Sequence, residues 1–227
     1  MQRKDAILLA ATEHFGRFGF RGASLRDIAR DAGVSLTLLN HHFGSKASLL
    51  SAAVDAHRRC LDERVSALHA VQNAGSGRWG VRDLIQAWLR ADLVTASTLD
   101  GRLFLQLAAR ISDDTSHEFD ADVQARLDRA APVFVDMLVR CRPDASRRAA
   151  ESAFLWAGAA MNRFLVGAAG PLDKALSEAS EAVDAEDEAR LVEFLTAGVE
   201  AALAVRISAP ASPADALQPA QESALAA

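Results

Sequence analysis

Residues 25–50 read LRDIARDAGVSLTLLNHHFGSKASLL, and the spacing of their apolar and small residues decides the fold. Ser24-Leu25-Arg26-Asp27 has the form of a capping box, in which a hydroxyl and a carboxylate satisfy free N–H groups at a helix start. Leu25, Ile28, Ala29 and Ala32 then make one face of a short helix, which Gly33 ends, since a positive φ is cheapest for glycine. Ser35 can cap a second short helix whose inward residues are Leu39 and Phe43. From Ser45, the residues Leu49, Leu50, Val54, Leu61, Val65 and Leu68 recur at helical spacing to about Asn73, which predicts one long helix that links two domains rigidly. Upstream, Ile7, Leu8, Ala11, Phe15 and Phe18 predict a first helix over about residues 3–18, with Gly19 as its stop.

The rest of the chain continues in the same style. Half of its 227 residues are hydrophobic, only 6% are aromatic and none is Tyr, while Ala is abundant; this favours close-packed helices and an all-α fold. Periodicity predicts further helices near 81–97, 101–112, 115–141, 144–168 and 186–207. Thr115-Ser116-His117-Glu118 reads as a second capping box, Asp144 after Pro143 can cap the next helix, and Pro132 should kink or divide the helix around it. Residues 171–185 read as a charged connection or short helix, and 208–227, rich in Ala, Pro and Ser, as a disordered tail. The expected organisation is an N-terminal three-helix helix-turn-helix domain (1–46), an all-helical domain (47–207) and the tail (208–227).

Several chemistries are weighed and set aside. Cys60 and Cys141 fit no metal or redox spacing and are expected to be free, mostly buried thiols. Met1 to Ala11 faintly imitates a signal peptide, but Thr12-Glu13-His14 cuts its apolar run short, and a cytoplasmic protein is expected. The longest apolar stretch, 153–170, carries Asn162-Arg163 at its middle, which a membrane helix would place at large cost, so no membrane partner is expected. Gly75-Ser76-Gly77-Arg78-Trp79-Gly80 satisfies the dinucleotide-site string GxGxxG but follows a helix, where that site needs a strand. His41 and His42 are adjacent and diverge by about 100 degrees on a helix, unlike the i, i+4 pairs that bind metal. Neither a metal nor a cofactor is expected, and no nucleophile elbow, cysteine nucleophile or metal-hydrolase motif occurs.

Charge points to nucleic acid. Residues 1–60 hold nine Lys/Arg against five Asp/Glu, a net of +4, whereas the remainder holds 16 against 25, a net of −9. Phosphate attraction acts over a Debye length of about 8 Å, so the acidic remainder does not veto DNA binding. With Leu39 and Phe43 packed inward, Leu36, Thr37, Asn40 and His41 would face outward as base contacts: Asn pairs bidentately with adenine, and Thr and Leu meet thymine methyls. Ser24, Arg26, Ser35, His42 and Lys46 lie at helix ends or flanks, where hydroxyls, charges and free N–H groups meet phosphates. The plain alternative is a three-helix packing unit with a polar surface.

The segment resembles the tetracycline-repressor (TetR) family of bacterial regulators. The resemblance rests on Ala10-Ala11 and Phe15, Gly19-Phe20, Ile28-Ala29, Ala32-Gly33-Val34-Ser35, Leu39, His42-Phe43, Ser45-Lys46 and Leu49-Leu50, and covers about residues 5–55. Asn40 stands where the family usually has Tyr, and Leu38 where Thr or Ser is common. The resemblance implies a homodimer on a palindromic double-stranded operator, with a small-molecule effector bound by the C-terminal helices. It also places His42 and Lys46 near phosphates and makes Ser24 a helix cap. The effector would tilt the long helix and change the spacing of two recognition helices.

In the C-terminal half, one stripe contains Ala153, Ala157 and Met161 and another Phe194, Gly198 and Ala202; the resemblance assigns the two last long helices to a dimeric four-helix bundle. Trp88, Phe104, Met137, Trp156, Asn162 and Arg163 are candidate effector-pocket residues. A ligand-released repressor is the expectation. The alternatives are an activator, a helical enzyme acting on a small apolar molecule, or an interaction protein.

Overall fold

A computed structural model describes residues 3–74, 78–114, 119, 121–166 and 185–205. Among them are eleven helices and no strand: α1 Arg3–Gly22, α2 Leu25–Asp31, α3 Leu36–Phe43, α4 Lys46–Ala56, α5 Arg58–Asn73, α6 Val81–Ala96, α7 Leu99–Ser112, α8 Ala121–Leu127, α9 Ala130–Cys141, α10 Arg147–Val166 and α11 Ala185–Ala204. No helix of the described residues is long and apolar enough to cross a membrane. The string from Gly75, the box at Thr115, the connection 171–185 and the tail 208–227 lie wholly or partly outside the described residues.

Local chemistry accounts for most helix ends. Helical geometry in α1 breaks at Gly19 (φ 71°), where the apolar pattern stops. Ser24 Oγ caps α2 by accepting from the Asp27 N–H at 3.4 Å, but the Asp27 carboxylate serves Arg30 at 2.6 Å rather than completing a reciprocal box. Gly33, at φ 67°, turns the chain between α2 and α3, a conformation that a Cβ would strain. Ser146, not Asp144, caps α10: its hydroxyl accepts from the Ala149 N–H at 3.1 Å, while Asp144 pairs with Arg142. The helix expected over 115–141 is divided at Asp128–Arg129, which places Pro132 in the first turn of α9, where a missing N–H is tolerated.

The single long helix expected from Ser45 to Asn73 is two. His57 (φ −104°, ψ 17°) closes α4 and precedes α5. Periodicity runs through this joint unbroken because both helices bury the same kind of face.

Two cores form. The first gathers Ile7, Ala11, Phe15, Ile28, Leu39, Leu49, Leu50 and Val54 from α1–α4 with Phe104, Leu107 and Ile111 of α7 and Val123 and Leu127 of α8. It therefore continues past residue 46 and borrows one wall from later in the chain. The second core joins Leu68 of α5 with Leu84, Trp88 and Leu89 of α6, Phe134 and Met137 of α9, Ala153, Ala157 and Met161 of α10, and Leu195 and Val199 of α11.

The α6–α7 corner depends on a close approach. A Cβ at Gly101 would lie 1.8 Å from the Thr95 carbonyl oxygen, a backbone atom that cannot step aside. Gly101→Ala should therefore cost about 2–3 kcal/mol, read as a lower urea midpoint at unchanged slope. An unchanged midpoint would show that the corner opens freely.

Candidate nucleic-acid interface

The first core fixes a surface. Leu39 and Phe43, 1% and 9% exposed, anchor α3 inward. Its other side presents Thr37, Asn40, His41 and His42, all exposed, with the His41 and His42 rings edge to face at 5.8 Å. Leu36 differs from the expectation: it is half-buried against the first core, so only part of its side chain reaches outward.

Flanking groups are oriented by caps. Ser35 Oγ accepts from the Leu38 N–H at 3.1 Å, and Ser45 Oγ accepts from the Ser48 N–H at 3.0 Å. Arg26, Ser35 and His42 are exposed, whereas Ser24 is half-buried beneath its cap. Lys46 is half-buried; its ammonium donates to the Arg21 carbonyl at 3.1 Å and sits 5.0 Å from the centre of the Phe20 ring, tying the start of α4 to the end of α1. Ser45 and Ser48 add two hydroxyls, 2.9 Å apart, to the same exposed rim; their only signal in the sequence is Gly44-Ser45 before an apolar run, which marks a helix start.

One buried histidine braces the unit. His14 Nε2 lies 2.8 Å from Asp31 Oδ2, joining α1 to the end of α2. Hydrogen bonds from His14 and then Arg30 hold the Asp31 carboxyl below its ordinary value.

The joint behind this surface is buried. His57 Nδ1 is 2.9 Å from the Ala53 carbonyl oxygen, Nε2 is 3.2 Å from Asp100 Oδ2, and the ring stacks on Phe104 at 4.5 Å between centroids. Asp100 and Phe104 belong to α7, which also packs on α1, so one helix touches both the joint and the first helix.

Farther back, the half-buried Arg64 of α5 pairs with the buried Asp92 of α6. Burial pushes the Asp92 carboxyl up, against the pull of the Arg64 guanidinium. Asp92 Oδ2 and Trp88 Nε1 are buried without a well-formed hydrogen bond. Trp88 stacks on Phe154 at 4.8 Å and meets Phe134 edge-on at 5.1 Å.

The residues expected to line one effector pocket are not brought together. Trp88 and Met137 share the second core, but Phe104 lies in the first, beside His57. Trp156 is 65% exposed on the outer side of α10, because its position in the helix faces away from α6; Arg163 is exposed and Asn162 half-buried. Of the expected dimer residues, Ala153, Ala157 and Met161 are buried within the protomer as part of the second core. Phe194 and Gly198 are exposed and Ala202 is half-buried. Both cysteines are half-buried; burial pushes the Cys141 thiol up to about 11, and it donates to the Trp79 carbonyl at 3.3 Å.

Known proteins share this arrangement. The family model of bacterial regulatory proteins, tetR family, matches residues 7–53, and that of the tetracyclin repressor-like C-terminal domain matches residues 86–198. The HTH-type transcriptional regulator BetI of Agrobacterium fabrum is 30% identical over 158 residues, which are 66% of this chain and 71% of that protein. The HTH-type transcriptional regulator RutR of Escherichia coli K12 is 34% identical over 128 residues, 56% of this chain and 57% of that protein. In fold, a TetR-family transcriptional regulator from Bordetella parapertussis superposes with a TM-score of 0.57 at 22% identity, covering 85% of this chain and 93% of that one. The relatives are regulators, not enzymes, and the chain belongs to the TetR family of bacterial helix-turn-helix transcriptional regulators.

Proposed function

We propose that the protein is a cytoplasmic homodimeric repressor that leaves a palindromic operator when a small molecule enters its C-terminal helices. The observation that carries the reading is the two-sided α3, whose apolar side is locked in the first core while Thr37, Asn40 and His41 stand exposed together. Short polar side chains on a braced helix suit the donor and acceptor pattern of the major groove. In this reading Thr37, Asn40, His41 and the tip of Leu36 meet bases. Arg26, Ser35, His42 and Lys46 meet phosphates with Ser45 and Ser48, and Ser24 acts through its cap.

A second copy fits the outer side of α10 and α11. Trp156 and Phe194, 65% and 67% exposed, flank a groove of about 180 Å³ floored by Ala153, Ala157 and Leu195. A patch of this kind on a soluble regulator favours a partner surface, and two copies would bury both aromatics in a four-helix bundle.

Effector uptake is proposed beside Trp88. Trp88 Nε1 and the Asp92 carboxylate are neighbours buried within an apolar core, and neither Trp88 Nε1 nor Asp92 Oδ2 has a well-formed hydrogen bond. An apolar molecule carrying a hydrogen-bonding group would satisfy them and disturb the Arg64–Asp92 link between α5 and α6.

Asn40→Ala with His41→Ala should weaken binding to the protein's own operator by about 1–3 kcal/mol per lost base contact and flatten sequence preference, measured by fluorescence anisotropy at fixed salt. Unchanged affinity and preference would remove α3 from the interface. Phe194→Glu should shift the sedimenting species from dimer to monomer and leave the circular dichroism intact. A wild-type chain that sediments as a monomer at micromolar concentration would contradict the bundle. Deletion of the gene should raise transcription from the promoter beside the operator, whereas a fall would make the protein an activator.

A further inference from the structure

A cleft of about 240 Å³ opens where α4, α5, α8 and the start of α9 meet, lined by Val54, Asp55, Arg58, Leu61, Arg126 and Arg129. Three guanidinium groups line it together with the apolar Val54 and Leu61 and the Asp55 carboxylate, and two further carboxylates, Asp62 and Asp122, pair with the arginines beside it. Arg126 is held from several sides and Arg129 from one. Arg126, 21% exposed at its side chain, donates to Asp55 at 2.5 Å and to the Ser51 hydroxyl at 2.8 Å, and its Nε lies 3.2 Å from Asp122. Arg129 donates to Asp62 at 2.5 Å, and Arg58, 73% exposed, reaches the same Asp62 only at 3.6 Å. Asp62 is thus divided between two cations. Each guanidinium carries five N–H donors in a planar fork suited to carboxylates; Arg58 and Arg129 keep several over, while Arg126, which also donates to the Ser51 carbonyl at 3.4 Å, keeps one.

We propose that this cleft binds a small organic dicarboxylate with a short apolar body. One carboxylate would take Arg126 and the other Arg58 and Arg129, with the body between them on Val54 and Leu61. The site spans the His57 joint: Arg126 clamps α8 to α4, and Arg129 clamps the start of α9 to α5. An occupant competing with Asp55 for Arg126 would loosen α4, the helix that carries the DNA-reading unit. That consequence rests on the repressor reading, whereas binding itself does not.

Titration calorimetry on the full chain, without DNA and at constant ionic strength, tests the site with glutarate, its neutral analogue glutaramide, and inorganic phosphate. Saturable binding is expected for glutarate and none for glutaramide, with phosphate about tenfold weaker because it cannot use the apolar floor. Arg58→Gln with Arg129→Gln should weaken glutarate about tenfold while the circular dichroism stays unchanged. If that pair of substitutions unfolds the chain, Arg58→Gln alone should weaken glutarate about threefold. Absence of saturable glutarate binding, phosphate binding as tightly, or folded variants binding as the wild type does would each overturn the proposal. Loss of operator binding in a protein that still takes up glutarate would count against the repressor reading and not against this site.

Discussion

The packing of α1 against α7 is the constraint on which the rest of the structure depends. Phe15 on one helix and Phe104, Leu107 and Ile111 on the other have no exposed surface. The approach is close enough that a Cβ at Gly16 would stand 3.2 Å from the Leu107 backbone nitrogen. A module of some 45 residues rarely buries enough apolar area to fold firmly by itself. Here the wall supplied by α7 and α8 completes the core that holds α2 and α3 in place. The helix-turn-helix unit and α7 and α8 of the C-terminal part therefore share one core.

The same helix reaches the joint in the linking segment. Phe104 stacks on His57, and Asp100 faces its Nε2, so a shift of α7 bears on α1 and on the α4–α5 break together. Packed interfaces tend to have discrete arrangements rather than a continuum, which suits a switch between two settings of α3. On the other side of the joint, Arg64–Asp92 ties α5 to α6 inside the second core. The chain from the second core to α3 is one of named contacts, and each link can be cut by a single substitution.

The N-terminal unit was legible in the sequence because local rules act there in concert. Ser24 and Ser35 cap, Gly19 and Gly33 break, and Leu39 and Phe43 face inward, each for a reason contained within a few residues. The joint at His57 was not legible, since the apolar repeat continues across it and what bends the chain is a long-range meeting with Phe104 and Asp100. Side-chain facing in the C-terminal half was read with less success for a related reason. Trp156 and Met161 both lie in the α10 apolar pattern, yet one is exposed and the other buried. From Ala153 to Met161 α10 is apolar throughout, so its sequence alone leaves the inward side of that run undetermined until α6, α9 and α11 are placed. Leu36 was misplaced in part because a recognition helix of eight residues leaves its first residue close to the turn and to the core beneath it.

The most direct test of the account is a structure of the dimer on its operator. On the proposed function, α3 of each protomer lies in successive major grooves, about 34–36 Å apart, with Asn40 and His41 on base edges and Lys46 still joined to the Arg21 carbonyl. A complex in which DNA meets another surface, or in which α3 stands outside the groove, would contradict it.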